Sequence, residues 1–549
     1  VNVHGPYFSQ GKNDSLVLQG TVDADTSGGA LYVEPTGSGT LTNAGAIAAS
    51  TGSSIHVIAV TINDGGVLKS QPGSTISISG SLVGNTEDAS LYNPQGTTIL
   101  DGAGTALAPQ LVEAMSQDLG PVSAGFQNNF AYGSLLVGGG DYVQLIDQAA
   151  NSVGGGAEAV CANSLVVPAG STLDLNGLQV YVRVAQVNGT VVNGSVHVLP
   201  SGGGPLSFSQ PTPASLRAGG SADDWTFFGH AGQTVTVVVN TGGQGSFAPL
   251  QPSLNYAQVQ LRDPNGNLLA TATNSQIATD AVLFSVPLTV DGTYHIHVQA
   301  PQSQPSAAGN YIVTLWNATI NQYTVNLNEQ ANGELFTPYS ADHWSFAAVA
   351  NQQIKFDLIN STTSAIQFDL TGPNGYSAFS GITTSSSLIT LPASGAYVLS
   401  AHWALPVPGY AAYAFQLRET SVSSLTLGTV YDGALAAGDG QAQLFTVTVP
   451  QGGNPLLINL AESSSTDQDE IYASLGSPPT LSDYQHRYSQ LASASQQILV
   501  PAAASGTWYI LLYGNYVPAS SNFTLTAATR QIVLSSSTPS RYGTSQDTV

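Results

Sequence analysis

The sequence predicts an all-β protein. An N-terminal β-solenoid-like region over residues 1–200 precedes three tandem β-sandwich or jelly-roll modules at 201–319, 320–420 and 421–533, then a Ser/Thr-rich tail at 534–549. Three observations carry that expectation. Short apolar alternations broken every few residues by Gly, Asn or Pro run through the first two hundred residues, the cadence of strands laid edge to edge. A phrase made of a turn residue, Gly, one further residue and an aromatic recurs at 291–298 (DGTYHIHV), 394–401 (SGAYVLSA) and 505–512 (SGTWYILL), where a turn feeds a half-buried strand. Finally, only 8% of residues are charged while Gly numbers 59, which suits sheets faced with neutral polar groups.

Length and charge narrow the class. A chain of 549 residues is too long for one core and implies several domains. Lys+Arg 10 against Asp+Glu 33 leaves a formal charge of -23, so a polyanion meets repulsion and nucleic acid is a poor partner. Cys161 is the single cysteine, which excludes an intrachain disulfide and a thiolate metal cluster. No run of 18 apolar residues occurs, so no transmembrane helix is expected. The start, VNVHGPYFSQ, is no signal peptide; scarce Lys and Cys beside abundant Ser and Thr suit a mature or excerpted piece of an exported protein.

Along the chain, alternating segments at 31–33, 40–47, 55–62 and 75–82 read as solenoid rungs. A near-duplicate, 72–80 (PGSTISISG) against 168–177 (PAGSTLDLNG), supports repetition, with two aliphatics facing one way in each. Between the copies, Pro109 followed by Leu111, Met115 and Leu119 at i, i+4 and i+8 predicts one short helix over 109–119 that ends at Gly120. Strands return at 133–137, 142–146 and 164–167, and Asn-Gly turns mark closing rungs near 188–196. The phrases MSQDLG, FAYGSL, YVQLIDQ and SLVVPAGSTLDLNGLQVYVR, between 115 and 183, resemble a segment of very large exported surface proteins of planctomycete-type bacteria. That resemblance implies an extracellular, adhesin-like or cell-envelope structural role.

A Gly/Pro/Ser stretch, 201–213, reads as a linker. Three units then open with an aromatic strand, a turn and a second alternating strand: 222–239, 341–358 and, more weakly, 441–460. A Pro-Asn-Gly turn recurs at 263–266 and 372–375, where Pro sets the turn and Asn-Gly accepts positive φ. Each unit closes with the marker strand and one more strand, the arithmetic of a sandwich. Trp225, Trp344, Tyr294, Tyr397 and Trp508 are the expected structural anchors. The order of phrases resembles the bacterial pre-peptidase C-terminal domain, a module appended to secreted peptidases and repeated in large surface proteins. In that family an acidic pair precedes the aromatic and some members bind calcium there. The resemblance carries this over to Asp223, Asp224 and Asp342, with Glu329 and Asn332 upstream; the third unit has Gln441 and Gln443 instead.

Other candidate chemistry is sparse. His295 and His297, two apart on one strand, point to one face. His343 and His402 beside Trp344 and Trp403 suit packing or loop capping. Asp467, Asp469 and Glu470 form the densest acidic run and suit a hard cation such as Ca²⁺. No Gly-x-Ser-x-Gly elbow exists. Lys12, Lys69 and Arg183 are too few for a lyase on a polyuronate, while Asp141, Asp147 and Asp174 would have to meet in space for glycoside hydrolysis. Tyr484, Tyr488, Tyr509, Tyr513 and Tyr516 would suit either core or a sugar platform. The chain therefore reads as a non-enzymatic, exported structural or adhesive protein of a fibre or layer. Expected partners are further copies or neighbouring surface proteins, with glycans as the alternative; a third reading is the non-catalytic part of a secreted hydrolase.

Overall fold

The computed structural model describes residues 15–529 other than 36–38, 153–154, 201, 220–221, 244–246, 406–408 and 491–492. The expected tail at 534–549 lies outside them. The chain divides into two compact units: residues 1–320 with 336–340 and 406–410, and residues 321–335, 341–405 and 411–549.

The first unit begins with a parallel β-solenoid. One face is an eight-stranded sheet running from Leu16–Leu18 to Thr190–Val192, and a second runs from Ala30–Val33 to Val196–Val198. A third face, Thr21–Ala24, Ala46–Ala49, Val67–Ser70 and Tyr92–Pro94, ends after four coils. Each coil buries its apolar residues beneath the same position of the next. Leu41, Thr61, Leu82, Val112 and Leu145 follow one another in register on one face, and all are buried. Ile55, Ile76, Thr98, Leu135 and Leu165 do so on another. Stacking lets each coil cover an apolar row that it could not bury alone. Polar rows stack too: Asn43 Nδ2 donates to Asn63 Oδ1 at 2.7 Å in the interior. The two copies of the repeated phrase serve different faces, since Thr75–Ile78 lies in the nine-stranded sheet and Thr172–Asp174 in the eight-stranded one.

The helix expected over 109–119 is absent; Gln110–Glu113 and Ser116–Gln117 are strands. Gln110–Glu113 pairs in parallel with Tyr142–Ile146 on one side and Leu82–Gly84 on the other. Gln110 Nε2 donates to the carbonyls of Ile78 and Gly80 at 2.7 and 2.6 Å. Val112 and Met115 are buried, whereas Leu119 is exposed. The ladder neighbours override a helical spacing carried by only three residues. The expected linker at 201–213 is likewise structured: Gly203–Pro205 and Thr212–Leu216 are strands of the first sandwich.

The three sandwiches share one topology. In each, the first, third, eighth, fifth and sixth strands form a five-stranded sheet in that spatial order, and the second, ninth, fourth and seventh form the facing four-stranded sheet. The marker phrases share one device. Tyr294 Oη donates to Val290 O at 2.7 Å, Tyr397 Oη to Ala393 O at 2.8 Å, and Trp508 Nε1 to Ala504 O at 3.0 Å. The aromatic thus fixes the turn four residues before it. The glycine between them needs positive φ, at 149°, 151° and 137° for Gly292, Gly395 and Gly506. A Cβ on Gly292 or Gly395 would also lie 2.7 Å from Pro264 or Pro373 of the Pro-Asn-Gly turn, so the two recurring motifs pack on each other.

Candidate cation sites

Trp225 and Trp344 are buried anchors, and each begins a relay. Trp225 Nε1 donates to Tyr311 Oη at 2.9 Å, and Tyr311 Oη donates to Asp223 Oδ2 at 2.6 Å. Trp344, Tyr413 and Asp342 repeat this at 2.8 and 2.6 Å. Register places Phe445, Phe523 and Gln443 at the corresponding positions of the third module. Two of the aspartates put forward for calcium therefore end internal hydrogen-bond relays. Asn321 Nδ2 donates to the other oxygen of Asp342 at 2.7 Å, and burial pushes the Asp223 carboxyl upward. Glu329 accepts from Asn326, and Asn332 accepts from Gln330, both on an exposed surface.

Asp224 instead faces outward and meets the two histidines. Its carboxylate lies 3.0 Å from His295 Nδ1 and 3.5 Å from His297 Nε2 across adjacent antiparallel strands. His402 caps Asp369, with Nε2 2.8 Å from Oδ2. Of the solenoid aspartates, Asp141 accepts from the backbone N–H groups of Gly102 and Gly104. Asp174 accepts from Tyr142, Gln144, Asn176 and Asn193. Both pin neighbouring coils, and Asp147 groups with Glu113 and Glu158 instead.

The acidic run of the third module splits. Successive strand residues face opposite ways, so Asp469 points inward while Glu470 accepts from Tyr472 Oη. Asp467 and Asp469 converge with Glu462, from the preceding strand Leu456–Glu462, so that one oxygen of each lies within 4.8 Å of the others. Asp467 is held by Ser464 and Ser521. Among the described residues, no backbone N–H is bonded to the buried oxygens of Glu462 and Asp469; the two carboxyls lie close enough to share a hydrogen bond, with Ser521 beside Glu462. Burial, then their mutual proximity, drives the Glu462 carboxyl upward, and burial does the same to Asp469. Asp469 occupies the inward position held by Ile366 in the second module, as the register of the marker strand shows. Glu462 was not legible as a ligand because it ends an apolar strand.

Four of the five third-module tyrosines are packed. Tyr484, Tyr488, Tyr509 and Tyr513 lie against a buried cluster of Leu388, Leu444, Tyr472 and Leu511. Leu388 belongs to the second sandwich, and Gln353 Nε2 there donates to Pro479 O at 2.8 Å. Tyr516 is exposed.

Fold and sites together define a modular all-β chain whose recurrent polar residues serve its own scaffold. Residues 221–300 match the family model of the bacterial pre-peptidase C-terminal domain. No curated protein matches the chain. Among solved structures, the pre-peptidase C-terminal domain of collagenase from Bacillus anthracis is 17% identical, with 20% of this chain and 97% of that one covered at a TM-score of 0.17. The periplasmic g-type lysozyme inhibitor PliG of Aeromonas hydrophila is 17% identical, covering 18% and 97% at 0.15. The secreted serine protease VesC from Vibrio cholerae is 9% identical, covering 55% and 74% at 0.15.

Proposed function

We propose that this is an exported, extracellular structural or adhesive protein, a subunit or segment of a surface fibre or layer. One observation carries the reading: what recurs from module to module is scaffold. The Trp–Tyr–Asp relay of the first two modules and the aromatic that locks its own turn in all three are consumed by internal bonds, so the repeated groups serve the fold rather than a reacting centre. Surfaces of neutral polar residues leave few charges to separate copies at contact, and the net charge of -23 acts over a range that salt screens beyond about 8–10 Å. Open sheet edges supply backbone groups to a neighbour. The reading extends to calcium in the third module, where Glu462, Asp467 and Asp469 offer an all-oxygen donor set. Cell fractionation and electron microscopy of native material test the main proposal. Ordered envelope structures containing the protein are expected; a monomer free in the medium at all concentrations and salts would overturn it.

The family match at 221–300 favours a second reading, an accessory part of a secreted hydrolase. An adjoining peptidase domain in the complete reading frame would decide for it.

A further inference from the structure

The solenoid contains a second acidic cluster, built from three residues far apart in sequence. Glu113 ends the strand Gln110–Glu113, Asp147 follows the strand Tyr142–Ile146 stacked on it, and Glu158 opens the strand Glu158–Val167. One ligand oxygen from each lies within 4.8 Å of the other two. Glu113 and Glu158 are only 1% and 4% exposed, while Asp147 is exposed.

The two glutamates are held alike. Glu113 Oε1 accepts the backbone N–H groups of Gln148 and Ala149 at 2.6 and 2.8 Å. Glu158 Oε1 accepts those of Asn151 and Ser152. Each carboxylate is thereby oriented through one oxygen, and the second oxygen, Oε2, is buried without a donor among the described residues. The Asn151 amide adds a further buried oxygen. Its Nδ2 donates to Gly84 O and Thr86 O at 3.2 and 2.8 Å, and its Oδ1 has no donor.

A buried carboxylate oxygen without a hydrogen-bond donor is costly, and three clustered carboxylates repel one another. None of the ion pairs among the described residues involves these groups. We propose that Glu113, Asp147 and Glu158 bind a calcium ion between successive coils of the solenoid, with the two Oε2 atoms as inner ligands and the exposed Asp147 on the solvent side. An all-oxygen set without thiolate or imidazole selects a hard cation. Calcium takes six to eight oxygens in irregular geometry, so three carboxylates completed by water suit it better than they suit magnesium, which demands a regular octahedron. Backbone donors on the outer oxygens play the orienting role that such groups play around metal ligands.

The test uses the full chain, stripped with chelator and titrated with CaCl2 or MgCl2 at pH 7.5 by calorimetry, beside thermal unfolding. Asp147→Asn leaves the buried framework intact and is expected to weaken one calcium site by about ten-fold or more. Glu158→Gln is expected to remove that site, lowering the stoichiometry by one, while calcium bound in the third module is unchanged. Calcium uptake identical in the parent, Asp147→Asn and Glu158→Gln chains would overturn the proposal. So would magnesium binding of equal strength at this site. If Glu158→Gln does not fold, Asp147→Asn alone decides.

Discussion

The guanidinium of Arg183, on the solenoid strand Gln179–Val187, lies 5.3 Å from the ring centroid of Trp225 in the first sandwich and 4.8 Å from that of Phe126. Its Nε donates to Asn163 Oδ1 and its Nη1 to Gly203 O, both at 3.1 Å. Burial lowers its pKa to about 10, so it stays charged at neutral pH. A cation over two rings that also donates two hydrogen bonds ties the two folds together, beside the bond from Arg217 Nη2 to Leu199 O at 3.4 Å.

Replacing Arg183 with Ala leaves two acceptors bare and both rings without their cation. The expected cost is about 2–4 kcal/mol, combining charged hydrogen bonds with a desolvated cation–π contact. Arg183→Lys should recover little, since an ammonium lacks the planar fork. Differential scanning calorimetry checks this: the solenoid and first sandwich should melt together in the parent and apart in Arg183→Ala.

The Trp344–Tyr413–Asp342 relay predicts strong non-additivity. Trp344→Ala should cost about 3–5 kcal/mol through the cavity alone. Trp344→Phe or Tyr413→Phe should each cost about 1–3 kcal/mol, because a buried polar group loses its bond. The third module already carries Phe445, Phe523 and Gln443 at the same positions. The triple change Trp344→Phe, Tyr413→Phe, Asp342→Gln should therefore cost less than the three single changes added together. Urea unfolding of the full chain measures the coupling.

Much of the fold is legible in the sequence because a period of two is a local signal. The alternation at 55–62, the Pro-Asn-Gly turns and the marker around Tyr294, Tyr397 and Trp508 each encode geometry within a few residues. The false helix at 109–119 shows the converse. Leu111 and Met115 carry a helical spacing, yet their environment is set by Leu82–Gly84 and Tyr142–Ile146, which local periodicity does not reveal. The sites are less legible for the same reason. Asp467 and Asp469 are visible as a run, but Glu462 joins them only through sheet pairing. Glu113, Asp147 and Glu158 come together only because coils stack.

Alkaline titration should report the solenoid interior. Burial pushes the Cys161 thiol up to about 11 and the Tyr132 phenol up to about 12. Both pKa values are raised, so the fold favours the neutral forms. Their contribution is full below the unfolded values and is lost as pH rises through about 9 to 11 for the thiol and about 10 to 12 for the phenol. Iodoacetamide at pH 8 should leave Cys161 unmodified in the native chain and label it in urea. Rapid labelling of the native chain would show that the site opens.

The third-module cluster predicts a reversal of sign with calcium. Asp469 stands where Ile366 is packed in the second module, and its carboxyl crowds that of Glu462 closely enough to share a hydrogen bond. In chelator, Asp469→Ile removes a buried carboxyl that crowds Glu462 and restores apolar packing. A stabilisation of about 1–4 kcal/mol is expected, as when buried ionic groups give way to hydrophobic ones. In millimolar calcium the parent gains binding free energy that the variant lacks, so the difference should shrink or invert. Urea unfolding of the full chain, in chelator and in calcium, reads both arms. If Asp469→Ile destabilises the chain equally in the two buffers, Asp469 is held by contacts other than this cluster, and calcium has no part in the stability of the third module.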